Sequence, residues 1–234
     1  MADRICLVTG VGDGTGAAIA RRFASDGYRV AMIARNPDRL RSLEDELAGS
    51  KSYVCDVSDL QSLTDTVAAV REDLGAPEVL VHNATSGTFK TFLEADPEDL
   101  ERNFRVNATA LLYLAREVAP AMMDKGKGAI LATGNTGAYR GKPHAALYAP
   151  TKAAQRILAE AMARDLGPKG IHVAYVAIDA RIDTPRSRSR AAPDEPDDYF
   201  AKPAAIAEEV FHLAHQDRSA WAFDVVIRPF GETW

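Results

Sequence analysis

Seven short apolar runs punctuate this chain at fairly even intervals, at residues 5–8, 29–34, 52–55, 79–82, 129–133, 172–178 and 223–227. The early runs carry almost no polar residues, which suits strands covered on both faces rather than strands with one wet face. Between them lie segments of helical periodicity, at 16–26, 37–47, 60–74, 97–123, 150–166 and 204–215. Pro37 and Pro97 stand where a first helical turn tolerates proline, and Ser58 or Asp59 can cap the third helix. Alternation of this kind requires right-handed crossovers and a parallel sheet with helices on both faces, a three-layer α/β/α arrangement. At 234 residues with 47% hydrophobic content, one domain spanning 1–234 is expected rather than two small ones. The one stretch too polar for a core is 185–202, where alternating arginines precede an acidic, proline-bearing run. It reads either as a surface loop without structure or as a substrate lid over a cleft.

Composition closes off several functions. A formal charge of −5 argues against a nucleic-acid partner, which would ask for a basic face. No apolar run reaches membrane-spanning length, and the first strand begins too near the N-terminus for a signal peptide, so a cytoplasmic location is expected. Cys6 and Cys55 lack metal-ligand spacing and read as buried thiols, and the five scattered histidines suggest no metal site.

Two motifs carry chemistry. The segment Thr9-Gly10-Val11-Gly12-Asp13-Gly14-Thr15-Gly16 joins the first strand to the first helix. Glycines there let the backbone approach a pyrophosphate, whose charge meets the amides and positive dipole of the helix N-terminus. The spacing is TGxxxGxG, because a GxGxxG reading puts Thr15 or Ala17 at the third glycine. Arg35 ends the second strand, where an arginine suits a ribose 2′-phosphate and an acid would suit the 2′-hydroxyl. Much later, Tyr148 and Lys152 stand four residues apart at the mouth of a helix, since Pro150 between them fits only a first turn. A carbonyl receiving hydride becomes an alkoxide and needs a proton donor. A phenol with a pKa of about 10 serves better with a cation one helical turn away. Cradle and proton donor on one sheet point to hydride transfer to or from a carbonyl.

On these motifs the chain resembles the short-chain dehydrogenase/reductase family, from Arg4 to the C-terminal segment. The resemblance implies a Rossmann-type, doubly wound, seven-stranded parallel sheet and an NAD(P)(H)-dependent oxidoreductase interconverting a carbonyl and an alcohol. It makes Gly10, Gly14, Thr15 and Gly16 coenzyme residues and Asp56-Val57 the pair that meets adenine. Asn83-Ala84 match the middle of an Asn-Asn-Ala-Gly motif whose outer places hold His82 and Thr85, and Thr184 matches a contact on the nicotinamide side. Tyr148 is then the general acid/base, Lys152 its electrostatic partner and ribose ligand, and Asn107 the support of a proton-relay water. Arg35 favours NADP(H) over NAD(H), while the charge of Asp13 opposes a phosphate.

The chain also departs from that family. The serine expected thirteen residues before the tyrosine is replaced by Asn135, and no serine occurs between Ser86 and Ser187. The Asn135 amide or the Thr136 hydroxyl is left to polarise the substrate oxygen. With the serine gone, a regulatory or scaffold protein that binds nucleotide with little turnover is a second reading. After the sixth strand the usual Pro-Gly is replaced by Asp179-Ala180-Arg181, either a capped solvent loop or a polar substrate contact. Thr133-Gly134, Arg140-Gly141, Ser219-Ala220-Trp221 and Arg228-Pro229 resemble a divergent branch of the family. His144 reads as a surface residue. Arg186, Arg188 and Arg190 suggest either an anionic substrate or a solvated lid. Apolar residues such as Leu111, Leu112, Leu114, Ile157 and Leu158 exceed what one sheet contact needs, so a homodimer or homotetramer is expected.

Overall fold

A computed structural model describes residues 4–191 and 194–232. Its strands are β1 (Arg4–Thr9), β2 (Tyr28–Ala34), β3 (Lys51–Val54), β4 (Val79–His82), β5 (Gly128–Gly134), β6 (Ile171–Ile178), β7 (Arg181–Ile182), β8 (Phe200–Ala201) and β9 (Asp224–Ile227). Its helices are α1 (Thr15–Ser25), α2 (Pro37–Glu46), α3 (Leu60–Asp73), α4 (Pro97–Phe104), α5 (Ala110–Lys125), α6 (Ala149–Leu166), α7 (Pro185–Arg188) and α8 (Pro203–Ala214). Seven strands form one parallel sheet in the order β3-β2-β1-β4-β5-β6-β9, and β7 pairs with β8 apart from it. The chain order reverses between β1 and β4, which opens a crevice at the carboxyl ends of these strands.

The apolar runs owe their composition to this layering. In β1, Ile5 and Leu7 pack into the cluster shared with α3, α5 and α6. Their neighbours Cys6 and Val8 pack into the opposite cluster with α1, α2 and α8. Successive side chains point to opposite faces, so a strand with two covered faces must be apolar throughout. Asn36 and Asp59 cap α2 and α3 with their side-chain oxygens, and Pro37 and Pro97 open α2 and α4 as expected. No helix among the described residues is long and apolar enough to cross a membrane.

Three expectations need correction. The single helix expected over 97–123 is α4, a π turn at Arg105–Thr109 and α5, and two asparagines on its inner face reach for the loop after β4 (below). Residues 185–191 and 194–202 are not loop throughout: α7, a 3-10 turn at Asp197–Tyr199 and β8 occupy them. Ion pairs order them, Arg181 with Glu195 at 2.6 Å and Arg188 with Asp183 at 2.7 Å and Asp197 at 2.6 Å. Those two arginines are therefore already matched by acids, and Ala192 and Pro193 lie outside the described residues. Leu111 and Leu114, counted as surplus, are fully buried in the chain's own core.

His82, fully buried at the end of β4, ties the crevice together. The Val106 carbonyl, 3.0 Å from Nε2, can only accept, so Nε2 carries the proton and Nδ1 accepts from the Thr9 hydroxyl at 3.0 Å. Burial, reinforced by the nearby Lys152 charge, pushes the imidazole pKa down to about 4. The folded state thus holds a neutral ring that the unfolded chain protonates below about 6.5. Its contribution is present above that value and is lost as pH falls towards 4. We expect unfolding free energy from urea denaturation to drop by roughly 2–3 kcal/mol more between pH 7.5 and 4.5 in the native protein than in His82→Asn. Parallel pH dependence of the two proteins would refute this.

Candidate active site

The glycine turn lies between β1 and α1 at the crevice. Gly10 has φ +70°, and a Cβ on it would lie 2.5 Å from the Ala84 Cα, so both backbone conformation and space demand glycine. A Cβ on Gly16 would lie 2.3 Å from the Gly10 carbonyl oxygen, so α1 can start this close to β1 only with glycine there. The N-terminus of α1 has no side-chain cap and no acid in its first turn. The Thr15 hydroxyl is buried there without a hydrogen-bond partner among the described residues. Uncapped amides, an orphaned hydroxyl and a positive dipole fit the pyrophosphate of a dinucleotide coenzyme. Thr184, the N-cap of α7, sets its methyl against Gly14 from across the crevice and accepts from the Ser187 amide at 3.2 Å.

The adenosine end is charged in pairs. Asp56 accepts from the Ser58 amide at 3.0 Å and the Ser58 hydroxyl at 2.8 Å. Burial pushes its pKa up, but these bonds and Arg35 outweigh that and hold it below the usual carboxylate range. Arg35 is 79% exposed and only 3.8 Å from Asp56, whereas Asp13 pairs with Arg39 of α2 at 2.8 Å. Val57 turns away and is buried in the core beneath.

Asn83 connects this turn to the rest of the site. Its Nδ2 donates to the Gly10 carbonyl at 3.0 Å, and its Oδ1 accepts from the Thr133 hydroxyl at 3.1 Å. The Thr133 carbonyl, at the end of β5, lies 3.5 Å from the Lys152 ammonium. Lys152 is 1% exposed, and its shortest bond runs to Gln155 Oε1 at 2.9 Å. Its Nζ stands 5.8 Å from the centre of the Tyr148 ring. Burial lowers the Lys152 pKa to about 7, since no carboxylate among the described residues pairs with it. Burial also raises the Tyr148 phenol, an effect the Thr85 hydroxyl partly offsets. Tyr148 is the N-cap of α6, and the Phe89 ring leans on it at 5.0 Å.

Asn107, on the π turn, has both ends of its amide engaged. Nδ2 donates to the Ser86 carbonyl and the Thr151 hydroxyl, both at 2.8 Å, while Oδ1 accepts from the Ser86 amide at 3.0 Å. Asn103, also fully buried, accepts from the Ser86 hydroxyl at 2.6 Å and donates to the Leu147 carbonyl at 2.9 Å. Together they clasp the loop after β4 to the segment that presents Tyr148. Asn103, Ser86, Thr151 and Gln155 escaped the sequence reading as site residues, and Thr133 entered it only as part of the Thr133-Gly134 match. The signal was there: Asn103 stands four residues before Asn107, and Gln155 three after Lys152, each on a helix face otherwise buried.

Asn135, which the resemblance sets where a serine is expected, turns Oδ1 to the Gly137 amide at 3.0 Å and leaves Nδ2 uncommitted among the described residues. The buried Tyr175 hydroxyl holds the Asn135 backbone from below, 3.3 Å from its amide and 3.4 Å from its carbonyl. Thr136 donates its hydroxyl proton to Asp179 at 2.6 Å, with Arg140 3.3 Å from the same carboxylate. Asp179 is therefore tied inwards, Arg181 pairs outwards with Glu195, and His144 is exposed.

The short chain dehydrogenase family signature matches residues 4–194. The chain belongs to that family. It is 35% identical over 171 residues to the D-erythrulose reductase of Gallus gallus, covering 73% of this chain and 68% of that one. It is 30% identical to the acetoacetyl-CoA reductase of Rhizobium meliloti, covering 92% of each. A crystal structure of an actinorhodin polyketide ketoreductase variant with NADPH superposes with a TM-score of 0.88 at 27% identity, over 97% of this chain and 96% of that one. This short-chain dehydrogenase therefore shares its fold with an oxidoreductase crystallised with a nicotinamide coenzyme.

In this dehydrogenase Asn83→Ala would strand the Thr133 hydroxyl and leave the Gly10 carbonyl with only its bond from the Gly12 amide, in a part-buried crevice. We expect a loss of about 2–3 kcal/mol of stability in urea unfolding. A loss under about 0.5 kcal/mol would show that the connection is not structural.

Proposed function

We propose that the protein is an NADP(H)-dependent oxidoreductase that reduces a carbonyl or oxidises the matching alcohol, with Tyr148 as general acid/base. The observation that carries this reading is the hydrogen-bonded path from the glycine turn through Asn83 and Thr133 to Lys152, with Tyr148 beside it. When bound, the nicotinamide supplies or takes the hydride. Tyr148 gives its phenolic proton to the substrate oxygen in reduction and takes it back in oxidation. Burial keeps that phenol protonated at neutral pH, the form needed for reduction, so oxidation should rise with pH. The Lys152 ammonium stabilises the developing phenolate and binds the nicotinamide ribose. Asn107 acts through the π turn it pins, where it supports the relay water, and Asn135 Nδ2 donates to the substrate oxygen. The described parts of the expected lid at 185–202, residues 185–191 and 194–202, close over the substrate.

The coenzyme choice follows from the charge pairs. Asp13 would repel a 2′-phosphate if its charge were free, but Arg39 holds it at 2.8 Å. Arg35 is held only loosely and stands exposed at the end of β2. The structure crystallised with NADPH supports the same preference.

The test is a fluorescence titration with NADPH and NADH. NADPH should bind the native protein and weaken at least about 10-fold in Arg35→Ala, with NADH changing by less than about 3-fold. Lys152→Ala should weaken both. A carbonyl screen should then find turnover that Tyr148→Phe lowers by about 10²–10⁴. Binding without turnover on any carbonyl would favour the nucleotide-binding regulatory reading, which the missing serine motivates. Binding of neither nucleotide would remove both.

We also propose a homodimer or homotetramer through α5 and α6, which expose Leu112, Tyr113 and, at 58%, Ile157. Light scattering at micromolar concentration should show an oligomer that Ile157→Lys dissociates. A native monomer would end this proposal.

A further inference from the structure

Lys152 has an unusual neighbour. Gln155 is fully buried on α6, three residues on, where its side chain lies alongside that of Lys152. Its Oε1 accepts from the Lys152 Nζ at 2.9 Å, while its Nε2 is buried without a hydrogen-bond partner among the described residues. An orphaned buried amide donor costs on the order of 1–3 kcal/mol. An apolar side chain here would avoid that cost, so the amide needs a physical account. The other groups facing Nζ are few: the Thr133 carbonyl from β5 at 3.5 Å, the Tyr148 ring on α6 at 5.8 Å, and the His82 imidazole from β4, neutral above acidic pH. None is an anion.

We propose that Gln155 is a positioning residue for Lys152, whose amide partners Nζ in both of its charge states and thereby fixes its place and its acidity. Towards the ammonium, which only donates, the amide presents Oε1, as observed. Towards the neutral amine, which has a lone pair, a half-turn about the last side-chain bond presents Nε2 instead. A carboxylate has no donor for the amine's lone pair and favours the ammonium strongly, and a leucine offers neither state a partner. A group that can both accept and donate suits a buried lysine whose burial brings its pKa to about 7. In the ammonium state the price is the one donor left unpaired.

The proposal rests on the role given to Lys152 above, but its test does not need coenzyme or substrate. Full-length protein labelled with ¹³C-lysine would be titrated by NMR without nucleotide, with the Lys152 Cε signal assigned by its loss in Lys152→Ala. Gln155→Leu should lower the Lys152 midpoint by about one pH unit, because the ammonium loses its best acceptor, and Gln155→Glu should raise it by at least as much. Gln155→Met fills similar space without an amide and should titrate like the leucine variant. Should either apolar variant fail to fold, the other and the glutamate variant still decide the matter. Midpoints within about 0.3 units of the native one in every folded variant would overturn the proposal, as would native behaviour in Gln155→Met, which would reduce Gln155 to a space filler. NADPH binding by the native protein is read separately, so the functional reading and this inference can each fail without the other.

Discussion

The carboxyl ends of parallel strands leave backbone groups facing a crevice, and here one side chain, Asn83, organises them. Its two-ended amide bridges the Gly10 carbonyl on one side and the Thr133 hydroxyl on the other. That fixes the glycine turn relative to the end of β5, and the Thr133 carbonyl then meets Lys152. Without a residue that both donates and accepts, the Thr133 hydroxyl would lose its acceptor and the Gly10 carbonyl one of its two donors in a partly dry space, at a cost comparable to the bonds now made. His82 does the same one residue earlier, joining Thr9 of β1 to the π turn through Val106. The spacing between the glycine turn and α6 therefore rests on adjacent two-ended side chains at the end of β4.

Desolvation acts on the central pair in one direction. It disfavours the ammonium of Lys152 and the phenolate of Tyr148 alike, so burial lowers one pKa and raises the other. Each group is thereby pushed towards its neutral form, and the charge separation that would activate the tyrosine is opposed by the medium that would strengthen it. The polar groups around Lys152 then matter more than they would at a surface. A carbonyl and an amide oxygen are the means by which a buried lysine keeps a share of its charge without an ion pair.

The fold was legible because its causes are local and repeated. Ile5-Cys6-Leu7-Val8 must be apolar on both sides, and the prolines and caps at Pro37, Asp59 and Pro97 mark where helices begin. The glycine turn and the Tyr148–Lys152 spacing were equally visible, since each is a short segment with one geometric demand. The clasp was not, because it joins residues distant in sequence: Asn103 to Leu147, Asn107 to Thr151, Ser86 to both asparagines. A polar residue on a buried helix face announces that a partner exists without saying where. The same blindness explains the single helix expected over 97–123. The π turn carries the buried Asn107, and its partners Ser86 and Thr151 lie far from residues 105–109 in sequence.

The substrate side shows how a replaced residue changes the work of its neighbours. Thr136 has a hydroxyl and adjoins the place of the missing serine, yet Asp179, standing where a Pro-Gly would leave no carboxylate, takes its proton at 2.6 Å. Arg140 in turn neutralises Asp179. A hydroxyl that donates to a carboxylate keeps only acceptor capacity towards anything in the cleft. Asn135 differs because its Oδ1 is spent on the Gly137 amide, which orients the side chain and leaves the NH₂ end free to donate. Tyr175, rising from β6 beneath Gly134, fixes the backbone that carries it. Two departures that look independent in the sequence, an asparagine at 135 and an aspartate at 179, therefore act together. The aspartate engages the threonine hydroxyl, and the asparagine amide keeps the donor capacity that the proposed role at the substrate oxygen requires.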